Sequence, residues 1–256
     1  MVWNCFDYSW RYFYWYWQLI ETFLYLLENK NTMKTIVLSL GGSLIVPKSV
    51  DTNFLKNFKR TIENYIKKDY RFVIYCGGGK LARLYQEVAS KIIKLSDENL
   101  DWLGIHATRL NANLLKILFK DNAEQIIIND PAKKIKFDKK ILIAAGWKPG
   151  WSTDYDTVLL AKNLKIKIIV NMSNVDYVYD KDPTKFKDAK KIEKISWQNY
   201  RKISGSKWKA GLNLPFDPVA AKEAQRSKIK VIVIGKSLKN FENLLNNKKF
   251  NGTMIK

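Results

Sequence analysis

After Met33 the chain alternates between short, nearly unbroken apolar runs and longer stretches in which apolar residues recur every three or four positions. The runs 35–40, 72–76, 124–128, 141–145, 166–170 and 229–234 are rich in β-branched residues and end in Gly or Asn clusters, which predicts strands. Their continuous apolar character marks strands covered on both faces, as in a parallel sheet. Helical spacing over 53–67, 80–94, 103–119, 154–164, 218–226 and 238–245 supplies the covering layers. The expected class is α/β: a three-layer α/β/α sandwich with a mostly parallel central sheet and ligands at the carboxyl ends of its strands. No internal repeat and no low-complexity linker divides residues 33–256, so one domain of two lobes is expected.

Composition breaks at Met33. Twelve aromatic residues fall within 1–32, six of them consecutive at 12–17, and that segment carries a net charge of −1. It lacks the basic start and small-residue cleavage site of a signal peptide, and Gln18 and Glu21 interrupt an apolar stretch too short for a bilayer span. An interfacial amphipathic helix is one reading. The simpler one, adopted here, treats 1–32 as an aromatic-rich extension upstream of a domain that starts at Met33.

Charge and rare residues narrow the chemistry. The whole chain is +21, with 45 Lys+Arg against 24 Asp+Glu. Two cysteines, Cys5 and Cys76, cannot make a disulfide framework or a metal cluster, which points to a reducing, cytoplasmic setting. With His106 the one histidine, reactions that need a histidine base or a histidine-rich metal site have a single candidate.

Three glycine-bearing turns follow predicted strands: Gly41-Gly42-Ser43, Gly77-Gly78-Gly79-Lys80 and Gly146-Trp147-Lys148-Pro149-Gly150. Glycines allow backbone N–H groups to approach an anion, and a following helix adds the positive end of its dipole. One such turn is ordinary turn chemistry, whereas three point to a phosphate-rich site. None has the spacing of a Walker A loop or of a dinucleotide fingerprint. Asp217 before Pro218 reads as a helix N-cap, Asp154 after Ser152-Thr153 as helix-start chemistry, and Asp176 and Asp182 as turn residues.

Taken in order, these turns join Asp101-x-x-Gly104-Ile105-x-Ala107-Thr108-Arg109-x-Asn111-Ala112, Pro149-Gly150-x-Ser152-Thr153-Asp154, Asn174-Val175-Asp176-x-Val178-Tyr179-x-x-Asp182-Pro183, Asp217-Pro218-x-Ala220-Ala221-Lys222 and Asn251-Gly252-Thr253. Residues 33–256 thereby resemble the amino-acid kinase superfamily, and within it the archaeal-type uridylate kinases. The resemblance implies transfer of the ATP γ-phosphoryl group to UMP with Mg²⁺, and a homo-oligomer, commonly a hexamer. It assigns Gly41, Gly42 and Ser43 to the phosphates in flight, with Gly41 on the nucleotide side. Gly78, Gly79 and Arg83 fall to the acceptor phosphate, Asp101 to the ribose hydroxyls and Thr153 to the acceptor pocket. Asn174, Tyr179 and Asp182 fall to the nucleotide donor, and Asp217 lies beside the transferring group. The acceptor is already an ionised phosphate, so no side-chain base is required and positioning plus charge neutralisation suffice. His106 then reads as structural, and no protein metal ligand is expected.

The departures are specific. Many members carry Lys where this chain has Ser39, so a phosphate-facing cation must come from elsewhere, with Lys80 and Lys209 as candidates. Trp147 stands where a small hydroxyl is usual near the base, and Tyr177 follows Asp176 where Gly is usual. Two other readings stay open: isopentenyl phosphate kinase, which generally places a histidine beside its acceptor phosphate, and a basic binding protein that has lost activity. The lysines are scattered and not gathered in a stripe, so no nucleic-acid partner and no stable membrane association is expected.

Overall fold

The structure, a computed structural model, describes residues 34–183, 185–205 and 214–256. The 1–32 extension and Lys209 lie outside the described residues. Residues Thr35–Lys256 form one compact unit.

Its elements run β1 (Lys34–Leu40), α1 (Gly42–Ile45), α2 (Thr52–Ile66), β2 (Tyr70–Cys76), α3 (Gly79–Ile92), α4 (Asp97–Leu118), β3 (Ala123–Ile128) and β4 (Ile141–Ala144). There follow α5 (Thr153–Asn163), β5 (Ile168–Met172), β6 (Val178–Tyr179), β7 (Lys191–Ile192), β8 (Lys194–Ile195), α6 (Trp197–Ser204), α7 (Pro218–Arg226), β9 (Lys230–Ile234), α8 (Leu238–Leu245) and β10 (Thr253–Ile255). Eight strands form one sheet in the order β3-β4-β2-β1-β5-β9-β10-β8, while β6 and β7 pair separately. The pairs β3/β4, β2/β4, β1/β5 and β5/β9 are parallel, and β10 runs antiparallel to β9.

The sheet is covered on both faces, as the apolar runs require. Alternate residues of β1 and β2 enter different cores. Leu38, Leu40, Phe72, Ile74 and Cys76 pack with α2, α4 and α8 through Phe58, Leu115 and Phe241. Val37, Val73 and Tyr75 face the other way, against Val158 of α5, Tyr200 of α6 and Ala221 of α7. This is the expected sandwich.

Strand order fixes where a ligand can sit. From β1 the chain adds β2 and the edge strand β3, inserts β4 between them, and then returns to add β5 and β9 on the opposite side of β1. The crevice beyond the carboxyl end of β1, where the winding reverses, is the binding position of such sheets.

Several expected boundaries shift. The 166–170 strand lies instead at Ile168–Met172, because the chain is still closing α5: Lys165 takes a φ of 59° and the Ile166 N–H donates to Ala161 O at 2.8 Å. The strand runs on through Asn171, whose amide donates to Pro215 O at 2.7 Å. Helix α4 begins six residues before the expected start, with Ser96 accepting the Asn99 N–H as N-cap and Asp97 and Glu98 in the first turn. Elements of two or three residues, β6, β7, β8 and β10, left no periodic signal.

Candidate active site

The first two glycine turns meet at the mouth of the β1 crevice. Gly41 N–H donates to Met172 O at 2.8 Å and Gly77 N–H to Leu40 O at 2.9 Å, so β5, β1 and β2 end at one level. The first turn opens α1, which contains Gly42 and Ser43. The second opens α3, with Gly78 as N-cap and Gly79, at φ +66°, as the first helical residue. Neither Gly42 nor Gly77 has room for a side chain: a Cβ on Gly42 would stand 2.5 Å from Gly77 O, and one on Gly77 the same distance from Gly42 N. The two turns thus form one surface, with the N-terminus of α3 facing it. Arg83 lies one turn further along α3, exposed, with no hydrogen bond or ion pair among the described residues.

Beneath this surface lie two carboxylates. Asp217 caps α7 as expected, accepting the Ala220 N–H at 2.6 Å ahead of Pro218. Asp154 does not act as a cap. Ser152 fills that role for α5, accepting the Tyr155 N–H at 3.1 Å, and Asp154 turns inward. It accepts from Ser39 Oγ at 3.4 Å and from the Asp217 N–H at 3.0 Å. Burial, together with the charge of Asp217, pushes its carboxyl up to about 7. Burial raises Asp217 as well, and its Oδ2 is buried without a hydrogen-bond partner among the described residues. Ser39, where a lysine is usual, thus leaves two adjacent acids without a bonded cation among the described residues.

The remaining expected site residues flank this centre. Asp101 accepts the Gly150 N–H at 2.7 Å, which ties helix α4 to the third glycine turn and leaves one carboxylate oxygen outside that bond. Thr153 is the first residue of α5, and its carbonyl accepts the Thr157 hydroxyl at 2.6 Å. On the β5 side Asn174 is exposed, Tyr179 lies in β6, and the carbonyl of exposed Asp182 accepts the Lys185 and Phe186 N–H groups. The neighbouring Asp176 carboxylate occupies the space a Cβ on Gly235 would need, so the loop after β5 rests on the end of β9. Tyr177 is not among the non-glycine residues with positive φ. Its ring is buried, with Lys191 Nζ at 4.9 Å, so the altered turn is accommodated without strain. The Asn251-Gly252-Thr253 block is structural: the Thr253 hydroxyl accepts the Val178 N–H at 2.8 Å and anchors β6 to β10. His106 is exposed on α4 beside Trp102.

Sequence reasoning missed the inward turn of Asp154 and the part played by Tyr75, Asp156 and the α4 residues Thr108 and Arg109. Most of their bonds span tens of residues, and only Thr108 and Arg109 lie in a block the sequence singles out, Asp101–Ala112.

Residues 34–235 match the amino acid kinase family. The chain is 41% identical to a uridylate kinase of Pyrococcus abyssi over 204 residues, covering 78% of this chain and 90% of that protein. It is 36% identical to a uridylate kinase of Thermoplasma volcanium, covering 84% and 94% respectively. Its fold superposes on the crystal structure of uridylate kinase from Archaeoglobus fulgidus with a TM-score of 0.73 at 33% identity, across 88% of this chain and all of that one. With its glycine turns locked together at the β1 crevice and this shared sequence behind them, the chain belongs to the amino acid kinase family.

Proposed function

We propose that the protein transfers the γ-phosphoryl group of ATP to the phosphate of UMP, giving ADP and UDP, as a cytoplasmic homo-oligomer. The observation that supports this most is the fused surface of the two glycine turns, in a chain that shares 41% identity with a uridylate kinase across 90% of that protein's length.

The acceptor oxygen is ionised at neutral pH, so the chain has to position two polyanions and offset their repulsion. The α3 N-terminus, with Gly78, Gly79 and Arg83, suits the acceptor phosphate, since the positive end of its dipole favours an anion. Asp101 and Thr153 lie on the same acceptor side. Backbone N–H groups of Gly42 and Ser43, at the start of α1, suit the phosphoryl group in transit. Asn174, Tyr179 and Asp182 suit the nucleotide on the β5 side. The orphaned Asp217 Oδ2 and the adjacent Asp154 are hard oxygen donors and fit a Mg²⁺ ion or its water shell. Mg²⁺, when bound with ATP, neutralises charge on the transferring phosphates.

Self-association has a candidate face. Helix α3 buries none of its residues and exposes Leu84, Tyr85, Val88 and Ile92 along one side, suited to a second copy of the chain. Among the described residues no helix is long and apolar enough to cross a membrane.

Ligands that bind only the folded state raise its stability, by about 2.7 kcal/mol at a hundred times Kd. UMP and ATP with Mg²⁺ should each raise the thermal midpoint. A shift with isopentenyl phosphate and none with UMP would reassign the acceptor.

A further inference from the structure

The third glycine turn starts buried, at Ala145 and Gly146, and is held largely by side chains. All six backbone polar groups of Ala145, Gly146 and Trp147 are bonded, five of them by side chains. Ala145 N–H donates to Ile128 O at 2.9 Å, and Ala145 O accepts from the Tyr75 hydroxyl at 2.5 Å. Gly146 N–H donates to Thr108 Oγ1 at 2.8 Å, and Gly146 O accepts from Arg109 Nε at 3.4 Å. Trp147 N–H donates to Asp156 Oδ2 at 3.1 Å, and Trp147 O accepts from Arg109 Nη2 at 3.0 Å. Ala145 and Gly146 are buried, so their backbone groups need protein partners; that these are side chains from β2, α4 and α5 converging on three residues defines one conformation in advance of any ligand.

The same helix also sets the second turn. Asn111, one helical turn beyond Thr108, donates its amide to Gly77 O at 2.8 Å and to Gly78 O at 3.3 Å. Rigid α4 therefore fixes the separation between the turn that opens α3 and the turn that carries Trp147. Contact at the third turn is close: a Cβ on Gly146 would stand 3.0 Å from Thr108 Oγ1 and press the hydroxyl away by a few tenths of an ångström.

We propose that Thr108 and Arg109 are positioning residues that hold the 145–147 turn as a preset wall of the acceptor pocket, and so determine which nucleobase the acceptor may carry. The inference rests on the reading of the acceptor as a nucleoside monophosphate. The two residues act through the backbone of Gly146 and Trp147 and touch no reacting atom. Loosening the turn leaves the glycine surface at β1 intact but lets Trp147 move, so discrimination between bases falls before phosphoryl transfer does.

The test uses the full chain and the variants Thr108→Val, Thr108→Ser and Arg109→Gln, with Michaelis constants for UMP, CMP and ATP and the thermal midpoint measured for each. Thr108→Val, which loses a neutral bond, should raise the UMP constant about 5- to 10-fold, and Arg109→Gln, which loses a charged one, about 10-fold or more. Both should narrow the ratio of kcat/KM for UMP over CMP by a similar factor, with kcat and the ATP constant changed by less than about twofold. Thr108→Ser, which keeps the hydroxyl, should restore the wild-type ratio. An unchanged base ratio with a lowered midpoint would make the residues merely structural and overturn the proposal, as would an ATP constant that rises with the acceptor constant. If the wild-type chain turns over a phosphate acceptor without a base, the reading of the reaction fails and this inference fails with it. If it turns over a different nucleotide, only the reading of the reaction fails, and the same ratios measured around that nucleotide decide the inference.

Discussion

Gly42 and Gly77 meet backbone to backbone at the end of β1, each filling the space where the other's Cβ would stand. The first two glycine turns are therefore a single rigid object. Gly42→Ala has to push them apart, at an overpacking cost of about 1–3 kcal/mol. A displacement approaching 1 Å at the reacting centre costs on the order of a hundredfold in turnover. Thermal melts and steady-state turnover of the variant check both effects. Near-normal turnover would mean that the two turns do not act together.

Arg83 is exposed on α3, one turn beyond Gly79, and has no partner among the described residues, so its planar guanidinium is free of them to grip two phosphate oxygens. Arg83→Lys keeps the charge and loses the bidentate geometry. It should raise the acceptor's Michaelis constant about tenfold or more and spare that of ATP. Equal rises in both constants would contradict an acceptor-only role for Arg83, and a rise in the ATP constant alone would mean that the two pockets are exchanged.

Asp156 is fully buried, and burial pushes its carboxyl up from 3.8 to about 7. Its Oδ2 lies 3.0 Å from the Tyr75 hydroxyl and its Oδ1 has no partner among the described residues. The Tyr75 hydroxyl has one proton for two acceptors, Ala145 O and Asp156 Oδ2. A carboxyl whose value is raised by folding stabilises fully below the unfolded value, and that contribution is lost as pH rises from about 4 through 7. Asp156→Asn stays neutral throughout. Between pH 4 and 8 the wild-type midpoint should fall by about 5 °C relative to the variant's. A constant difference across that range contradicts a neutral Asp156.

Deleting residues 1–32 should leave the fold and the activity of the remainder unchanged, because the composition breaks at Met33 and the family match begins at residue 34. Circular dichroism and turnover of the shortened chain against the full one decide this. Loss of either would make the extension part of the working protein.

The parallel strands were legible because burial on both faces writes an unbroken apolar run, and Asp217 was legible as a cap because Pro218 follows it. Asp154 was not. An aspartate in the first turn of a helix ordinarily faces water, and nothing local shows that Ser39, over a hundred residues away, receives it. Tyr75, Thr108, Arg109 and Asp156 were hidden for the same reason: a side chain bonded to a distant backbone leaves no periodic trace. Strand β5 was misplaced by two residues because Asn171 looks like an end to an apolar run, while its amide is in fact satisfied by Pro215 O. The start of α4 was the avoidable miss, since Ser96 followed by Asp97 and Glu98 is a readable N-terminus.

The central claim is that the two glycine turns join ATP to a nucleoside monophosphate acceptor. Its most direct test is ADP release from ATP and Mg²⁺ in the presence of UMP, CMP or isopentenyl phosphate, with the phosphorylated product identified by phosphorus NMR. The account predicts turnover with UMP, weaker turnover with CMP, none with isopentenyl phosphate, and UDP as the product. ADP release that is independent of UMP, or that appears only with isopentenyl phosphate, would contradict it.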